Sequence, residues 1–436
     1  MSLKRIYTGG LRVVLDNRFY RVFLSLCLVA ALCGVLHAEA APPALTTNSQ
    51  DSDLPPYEFQ YNNALYATIG GFLGVKDQDV KNMHTFKLSV ESFRKKFPVR
   101  AVIQNEAAPL IVILVGLGSH ADGSVTKLWT SWYADAGYSV LTFDSPFTPG
   151  YVDLSASGVS GNPVAEAEGT KNIISAFLEQ TEIKGRVTKI GVVGMSYGGI
   201  QALLLGQMAN ENKLPFKLEG LQSYSAPINM YKTLGILDQW YSEDRWKYTL
   251  AELKHAFSGN QPVGPDQPVP YSDSLMRAGI AADFRLGLSE IILKNNDIFK
   301  LNVLPNGSNL DDEYVKQDYA EAISFSRFLT DVSFPYWRRR MNLQSINEFT
   351  SPVELNNLMP KQPAFTEVIL AEDDPFNTPE DAASFKVRWV GHGATVLPRG
   401  GHLGFIGDKW TKAKLLSIFK IPPPASQSNV TAEAPK

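Results

Sequence analysis

Three short stretches of the chain hold residues that could do chemistry together. In the first, Ser196 sits inside Gly194-Met195-Ser196-Tyr197-Gly198. Ile190, Val192 and Val193 precede it as an apolar run, and Ile200, Leu203, Leu204 and Met208 follow at helical spacing, so the period changes at the serine. That change describes a strand passing through a sharp turn into a helix. Such a turn needs small residues at 194 and 198, because a Cβ there would collide across the bend, and it lifts the hydroxyl clear of the sheet. The pentapeptide alone says little. With 33 glycines in 436 residues, one such pattern arises by chance in roughly one chain in six. The strand before it and the helix after it give it meaning.

A serine nucleophile needs a base to take its proton and a carboxylate to hold that base in the right tautomer. The second stretch offers the acid. Val368, Ile369 and Leu370 run into Ala371-Glu372-Asp373-Asp374-Pro375, with Asp374 the preferred carboxylate and Asp373 the reserve. The bland alternative makes both of them turn and cap residues ahead of a helix at Pro379. The third stretch offers the base. Ala394, Thr395, Val396 and Leu397 lead into Pro398-Arg399-Gly400-Gly401-His402-Leu403-Gly404-Phe405. Glycines around His402 let its loop fold over the strand ends. His392 precedes that strand and would open at the wrong end of a sheet; His84, His120 and His255 read as surface residues.

The elements that must position these residues alternate. Strand-like runs fall at 87–90, 100–103, 110–115, 139–143, 218–224, 365–370 and 394–397, besides the one entering Ser196. Helical patterns lie between them at Val125–Tyr133 spacing, at 164–180, at 379–390 and around 409–419. The stretch 150–161 reads as a Gly/Ser-rich loop. Strand and helix in this order imply a parallel sheet wrapped by helices, with ligand loops at the carboxyl ends of the strands. The rhythm stops between 229 and 362, where helical patterns replace strands around a proline-rich loop at 261–270. The expected organisation is a core in two parts, 57–228 and 363–421, a helical insertion at 229–362, a linker at 41–56 and a disordered tail at 422–436.

Composition narrows the function. Of 436 residues, 44% are apolar and 19% charged, and the formal net charge is −3, which gives no electrostatic case for nucleic acid. Two cysteines, Cys27 and Cys33, exclude a disulfide framework and a cysteine nucleophile in the rest of the chain, and six scattered histidines without a metal-binding pair argue against zinc. Residues 1–40 read as a secretory signal. Lys4, Arg5, Arg12, Arg18 and Arg21 precede an apolar run at 22–36, and Ala38-Glu39-Ala40 offers a cleavage site before Ala41. At about 15 residues that run is short of a comfortable membrane span, with an uncleaved anchor as the alternative. The expected location is outside the cytoplasm, periplasmic or extracellular, with N-terminal or peripheral membrane association as a further expectation.

The order serine, aspartate, histidine on this strand pattern resembles the α/β-hydrolase superfamily, over 86–227 and 365–419. The Gly-Gly-His-Leu-Gly-Phe run is similar to its esterase and lipase-like branches. The resemblance implies an α/β-hydrolase fold, with a mostly parallel central sheet and a large, mainly helical cap inserted after the sixth core strand. It implies Ser196 as nucleophile, Asp374 as acid and His402 as base. The oxyanion donors would be the backbone N–H groups of Tyr197 and of Leu117, in Val115-Gly116-Leu117-Gly118, where Val115 stands in place of a histidine common in the family. No metal or cofactor is implied. The expected reaction is hydrolysis of a small or lipid-like carboxylic ester through an acyl-enzyme. The same triad serves thioesterases, acyltransferases and peptidases, and the fold also hosts non-catalytic binding proteins. Trp240, Tyr241 and Trp246, close together in the insertion beside Tyr248, are the candidates for lining an acyl channel; the alternative makes them the insertion's own core. Arg338, Arg339 and Arg340 read as a basic face.

Overall fold

The computed structural model describes residues 54–249, 251–253, 268–304 and 313–419. The expected signal segment 1–40 with Cys27 and Cys33, most of the expected 41–56 linker, His255, most of the proline-rich loop and the expected tail lie outside the described residues.

Eight strands form one sheet. They are β1 (Met83–Leu88), β2 (Phe97–Val102), β3 (Ala108–Leu114), β4 (Ser139–Phe143), β5 (Val187–Met195), β6 (Gly220–Tyr224), β7 (Thr366–Ala371) and β8 (Ala394–Leu397), in the order β1-β2-β4-β3-β5-β6-β7-β8. β2 runs antiparallel to both its neighbours, and every other pairing is parallel. The central strand β3 is apolar throughout, and buried along nearly its whole length, because both faces are covered. Within β3, Leu110, Val112 and Leu114 join one core cluster while Ile111 and Ile113 join the other, as the two-residue pleat requires.

Helices cover the two faces. On one lie α1 (Ala64–Leu73), α3 (Pro149–Leu154), α4 (Pro163–Leu178) and α5 (Tyr197–Asn210), and on the other α2 (Ser124–Asp135). Between β6 and β7 come α6 (Met230–Asp244), α7 (Asp273–Phe299), α8 (Glu313–Glu321) and α9 (Phe334–Met341). After β7, α10 (Pro379–Trp389) packs on the first face, and α11 (Lys409–Leu416) closes the second. There, Trp129 donates its ring N–H to Ile406 O at 3.0 Å, and the Tyr133 hydroxyl donates to Leu415 O at 3.0 Å.

Three local readings differ from the sequence expectation. The first strand lies at Met83–Leu88, some residues before 87–90, because Val90 already accepts a turn hydrogen bond from Phe93 N. Inside 150–161 the chain forms α3, started by Pro149 and capped by the Thr148 hydroxyl. The third is α1, which gave no amphipathic signal because it has no charged residue to mark an outer face. It packs by backbone approach: a Cβ at Gly71 would lie 2.3 Å from Leu403 O, and one at Gly401 2.3 Å from Ala64 O.

Carboxylates tie the helices of the insertion together. Asp238 on α6 accepts from Arg285 Nη2 at 2.6 Å and from the backbone N–H groups of Phe325 and Ser326 at 2.9 and 2.8 Å. Asp244, at the end of α6, accepts from Arg277 Nε and from the Ser274 hydroxyl, both at 2.7 Å, and from Lys247 Nζ at 2.8 Å. The insertion is also fastened to the core. Asn295 of α7 bonds both the N–H and the hydroxyl of Ser160, at 3.1 and 3.2 Å, and Trp337 donates to Val159 O at 2.8 Å.

Burial raises the Asp244 carboxyl, but the hydrogen bonds from Arg277, Lys247 and Ser274 outweigh it and bring the pKa from 3.8 down to about 2. A depressed carboxylate stabilises the fold fully above its unfolded pKa and loses that contribution as pH falls through the folded one. The melting temperature of the wild type should therefore drop more steeply between pH 4 and pH 2 than that of Asp244→Asn, followed by circular dichroism.

Candidate active site

Ser196 ends β5 and caps α5 with φ 54° and ψ −120°, a conformation that side chains other than glycine rarely adopt. Three glycines make room for it. A Cβ at Gly194 would lie 2.1 Å from Gly198 O, one at Gly198 2.1 Å from Leu114 O, and one at Gly199 2.6 Å from Ser223 Oγ. The Ser196 N–H donates to Tyr224 O at 2.8 Å, which pins the turn to β6. Strain of this kind costs on the order of 1–3 kcal/mol and persists only where the surroundings over-determine it.

The structure brings Ser196, His402 and Asp374 into one hydrogen-bonded line. His402 Nε2 lies 2.9 Å from Ser196 Oγ, and His402 Nδ1 lies 2.8 Å from Asp374 Oδ2. The side chains of His402 and Asp374 are 2% and 0% exposed, so water does not compete for these bonds. A carboxylate facing Nδ1 keeps the proton there, which leaves Nε2 to accept from the serine hydroxyl. Asp374 Oδ1 accepts in turn from Phe376 N at 2.9 Å, and the Phe376 ring packs 4.4 Å from the imidazole.

Asp373 has a different place. Its Oδ1 accepts from Gly401 N at 2.9 Å, so it grips the backbone of the loop that carries His402. Burial raises its pKa, with the loop N–H groups opposing that rise. His402 N donates to the Thr68 hydroxyl of α1 at 2.9 Å, and Leu403, at φ 64°, donates its N–H to Ser225 Oγ at 3.3 Å. Thr68, Ser225 and Phe376 escaped the sequence reading. Phe376 was within reach as a neighbour of the acid, whereas nothing local marks Thr68.

Leu117 and Tyr197 border the same cavity as Ser196. Tyr197 opens α5, where a helix leaves its first N–H groups without an intrahelical partner. The Leu117 loop passes beside the serine, since a Cβ at Gly116 would lie 3.5 Å from Ser196 Cβ. Asp144 braces that loop, accepting from Ala121 N at 2.8 Å and pairing with His120 Nδ1 at 3.2 Å. The bond to Asp144 raises the His120 pKa. His120 itself does not border the cavity, and His84 and His392 are exposed.

The remaining walls are apolar: Phe147, Met230, Leu234, Leu237, Phe284 and Leu329, with Phe376 beside the histidine. The aromatic trio expected to line it lies elsewhere. Trp240 is buried behind Phe376, ring to ring at 5.7 Å. Tyr241 is buried beneath the Arg285 guanidinium, 4.3 Å above its ring, and its hydroxyl donates to Glu321 at 3.1 Å. Trp246 is 73% exposed. The reason is helical rise: at about 1.5 Å per residue, α6 passes the serine with its first turns and has left it behind by Trp240. Arg338, Arg339 and Arg340 are exposed on α9. Among the described residues no group of His, Cys, Asp and Glu is placed to hold a metal, and no helix is long and apolar enough to cross a membrane.

No family model matches the sequence, and no curated protein does. Among solved structures, an esterase of Pyrococcus furiosus aligns at 12% identity with a TM-score of 0.43, over 88% of this chain and 98% of that one. A Pyrobaculum calidifontis esterase aligns at 12% identity and a TM-score of 0.40, over 82% and 90%. The Pyrococcus horikoshii acylaminoacyl peptidase aligns at 11% identity and a TM-score of 0.43, over 80% of this chain and 43% of that one. The topology speaks for itself. With the strand order β1-β2-β4-β3-β5-β6-β7-β8, an antiparallel β2, and serine, aspartate and histidine on the loops after β5, β7 and β8, the chain has the α/β-hydrolase fold.

Proposed function

We propose that the protein is an exported serine hydrolase that cleaves carboxylic esters with apolar, lipid-like acyl groups. The observation that carries this reading is the unbroken line from Ser196 Oγ through His402 to Asp374, at 2.9 and 2.8 Å. Ser196 Oγ attacks the ester carbonyl while His402 Nε2 takes its proton. Asp374 holds the imidazole in the required tautomer and stabilises the imidazolium. The N–H groups of Tyr197 and Leu117 receive the oxyanion, each contributing about 3–4 kcal/mol to the transition state. His402 then protonates the leaving alcohol and activates the water that releases the acid from Ser196.

The apolar walls contributed by α6 and α7 support an acyl group without charge, for which they supply burial at about 25 cal/mol per Å². The insertion acts as the cap over this site. Export, with membrane proximity as its companion, rests on residues 1–40 alone.

Purified protein beginning at Ala41 should label with a fluorophosphonate probe, and Ser196→Ala should not; an unlabelled wild type would refute the assignment. The two aspartates should separate. Asp374→Asn should lower kcat by about 10⁴, the loss expected when the tautomer is wrong. Asp373→Asn, which only weakens the grip on Gly401, should lose about tenfold or less, in line with one hydrogen bond to a charged group. Along a series of p-nitrophenyl esters, activity that fell steadily from acetyl onward would contradict the lipid-like substrate class.

A further inference from the structure

Glu166 is a buried carboxyl that the mechanism above leaves unused. It lies in the first turn of α4, 7% exposed, behind the Asn162 cap. Its two oxygens join opposite sides of the site. Oε1 accepts from Gly161 N at 2.8 Å, and Oε2 accepts from the hydroxyl of Tyr197. Gly161 and Tyr197 both border the cavity at Ser196, and Phe147, a third wall residue, packs its ring 5.5 Å from that of Tyr197. Tyr197 is the residue after the strained serine.

We propose that Glu166 is a positioning residue: through the Tyr197 side chain it holds the peptide whose N–H receives the oxyanion, and the ionised form does so. This deepens the proposed ester hydrolysis and rests on it. The strain at Ser196 would relax by rotation of the Ser196–Tyr197 peptide, which would swing that N–H out of line. Tyr197 is 3% exposed and fastened at the far end of its ring, which fixes the Cα and φ from which that peptide is set. The Tyr224–Ser196 backbone bond before the strained residue and the Glu166 hydrogen bond after it thus hold the chain on both sides of Ser196.

The choice of a carboxylate is the second strand of the argument. The titratable groups that face Glu166 are phenols: Tyr151 from α3, Tyr197 from α5 and Tyr231 from α6. Among the described residues the buried Tyr151 and Tyr231 hydroxyls have no hydrogen-bond partner. A buried carboxyl facing phenols is costly for stability, and a neutral amide would satisfy the Tyr197 hydroxyl more cheaply. Burial pushes the Glu166 pKa up to about 7, with the bonds from Tyr197, Gly161 and Asn162 opposing the rise. The ionised carboxyl accepts from Tyr197 and Gly161 together. Protonation turns one oxygen into a donor and removes the charge that strengthens both bonds.

The test compares wild type, Glu166→Gln and Tyr197→Phe with p-nitrophenyl butyrate, a fluorophosphonate probe and thermal melts. Both variants should lower kcat at pH 8 by about tenfold, the scale of one charge-assisted hydrogen bond, with KM unchanged. Labelling by the probe should slow in proportion. Glu166→Gln should melt at or above the wild-type temperature, which a merely structural carboxyl would not allow. The acid limb of the kcat profile should carry one more ionisation in the wild type, near pH 7, than in Glu166→Gln, which keeps only that of the general base. A Gln variant that matches wild-type kcat, or whose acid limb is as steep as that of the wild type, overturns the proposal while leaving the ester hydrolase reading intact. Variants that lose melting temperature, with kcat and KM changing together, overturn it as well. A wild type that does not label takes both readings down.

Discussion

The close approach of backbone to backbone at the end of β5 is the constraint on which the rest depends. Leu114 O stands 2.1 Å from where a Cβ at 198 would be, and Gly198 O at the same distance from one at 194. No side chain fits either place. The chain can therefore leave β5, hold Ser196 at φ 54° and enter α5 within a single turn, which brings the hydroxyl to the sheet's carboxyl edge. Everything that reacts with that hydroxyl must come to it, since the serine has no freedom to search.

His402 comes to it on a loop held almost wholly by its backbone. Asp373 grips Gly401 N, Thr68 receives His402 N, and Ser225 receives Leu403 N. Beneath them α1 lies so close that glycine is required at 71 and 401. The adjacent aspartates divide the work: Asp374 faces the ring and Asp373 faces the loop. One carboxylate could not do both, because the ring and the backbone of the loop present their donors from different directions. Phe376, two residues on, packs against the imidazole and is itself backed by Trp240 of the insertion.

The insertion brings apolar side chains to the serine. Its first helix places Met230, Leu234 and Leu237 over the serine, and Phe284 of α7 meets Phe376 ring to ring at 5.9 Å. Asp238 and Asp244 hold these helices in register through Arg285 and Arg277. Buried charge pairs therefore fix these helices to one another, while the residues that border Ser196 are mostly apolar.

Much of this was legible in the chain itself, wherever local pattern carries the information. The β-branched runs marked the buried strands, the change of period marked the turn at Ser196, and glycines flanked the serine and the histidine because backbone crowding admits nothing larger. Order along the chain picked out Ser196, Asp374 and His402, and the fold brings their side chains into one hydrogen-bonded line. What local pattern could not show was contact between distant segments. Helix α1, uniformly apolar and without charge, has no periodicity to read, and Thr68 is 334 residues from the N–H it receives. The aromatic trio in and just after α6 looked like a lining because composition is local, whereas facing is decided by where a helix crosses the site. Glu166 is one acidic residue among 44 until the fold buries it against Tyr197. Residue types and their order determined which chemistry the chain can attempt. Only tertiary packing decided which side chains hold the reacting groups still, because that depends on approach distances that no single segment contains.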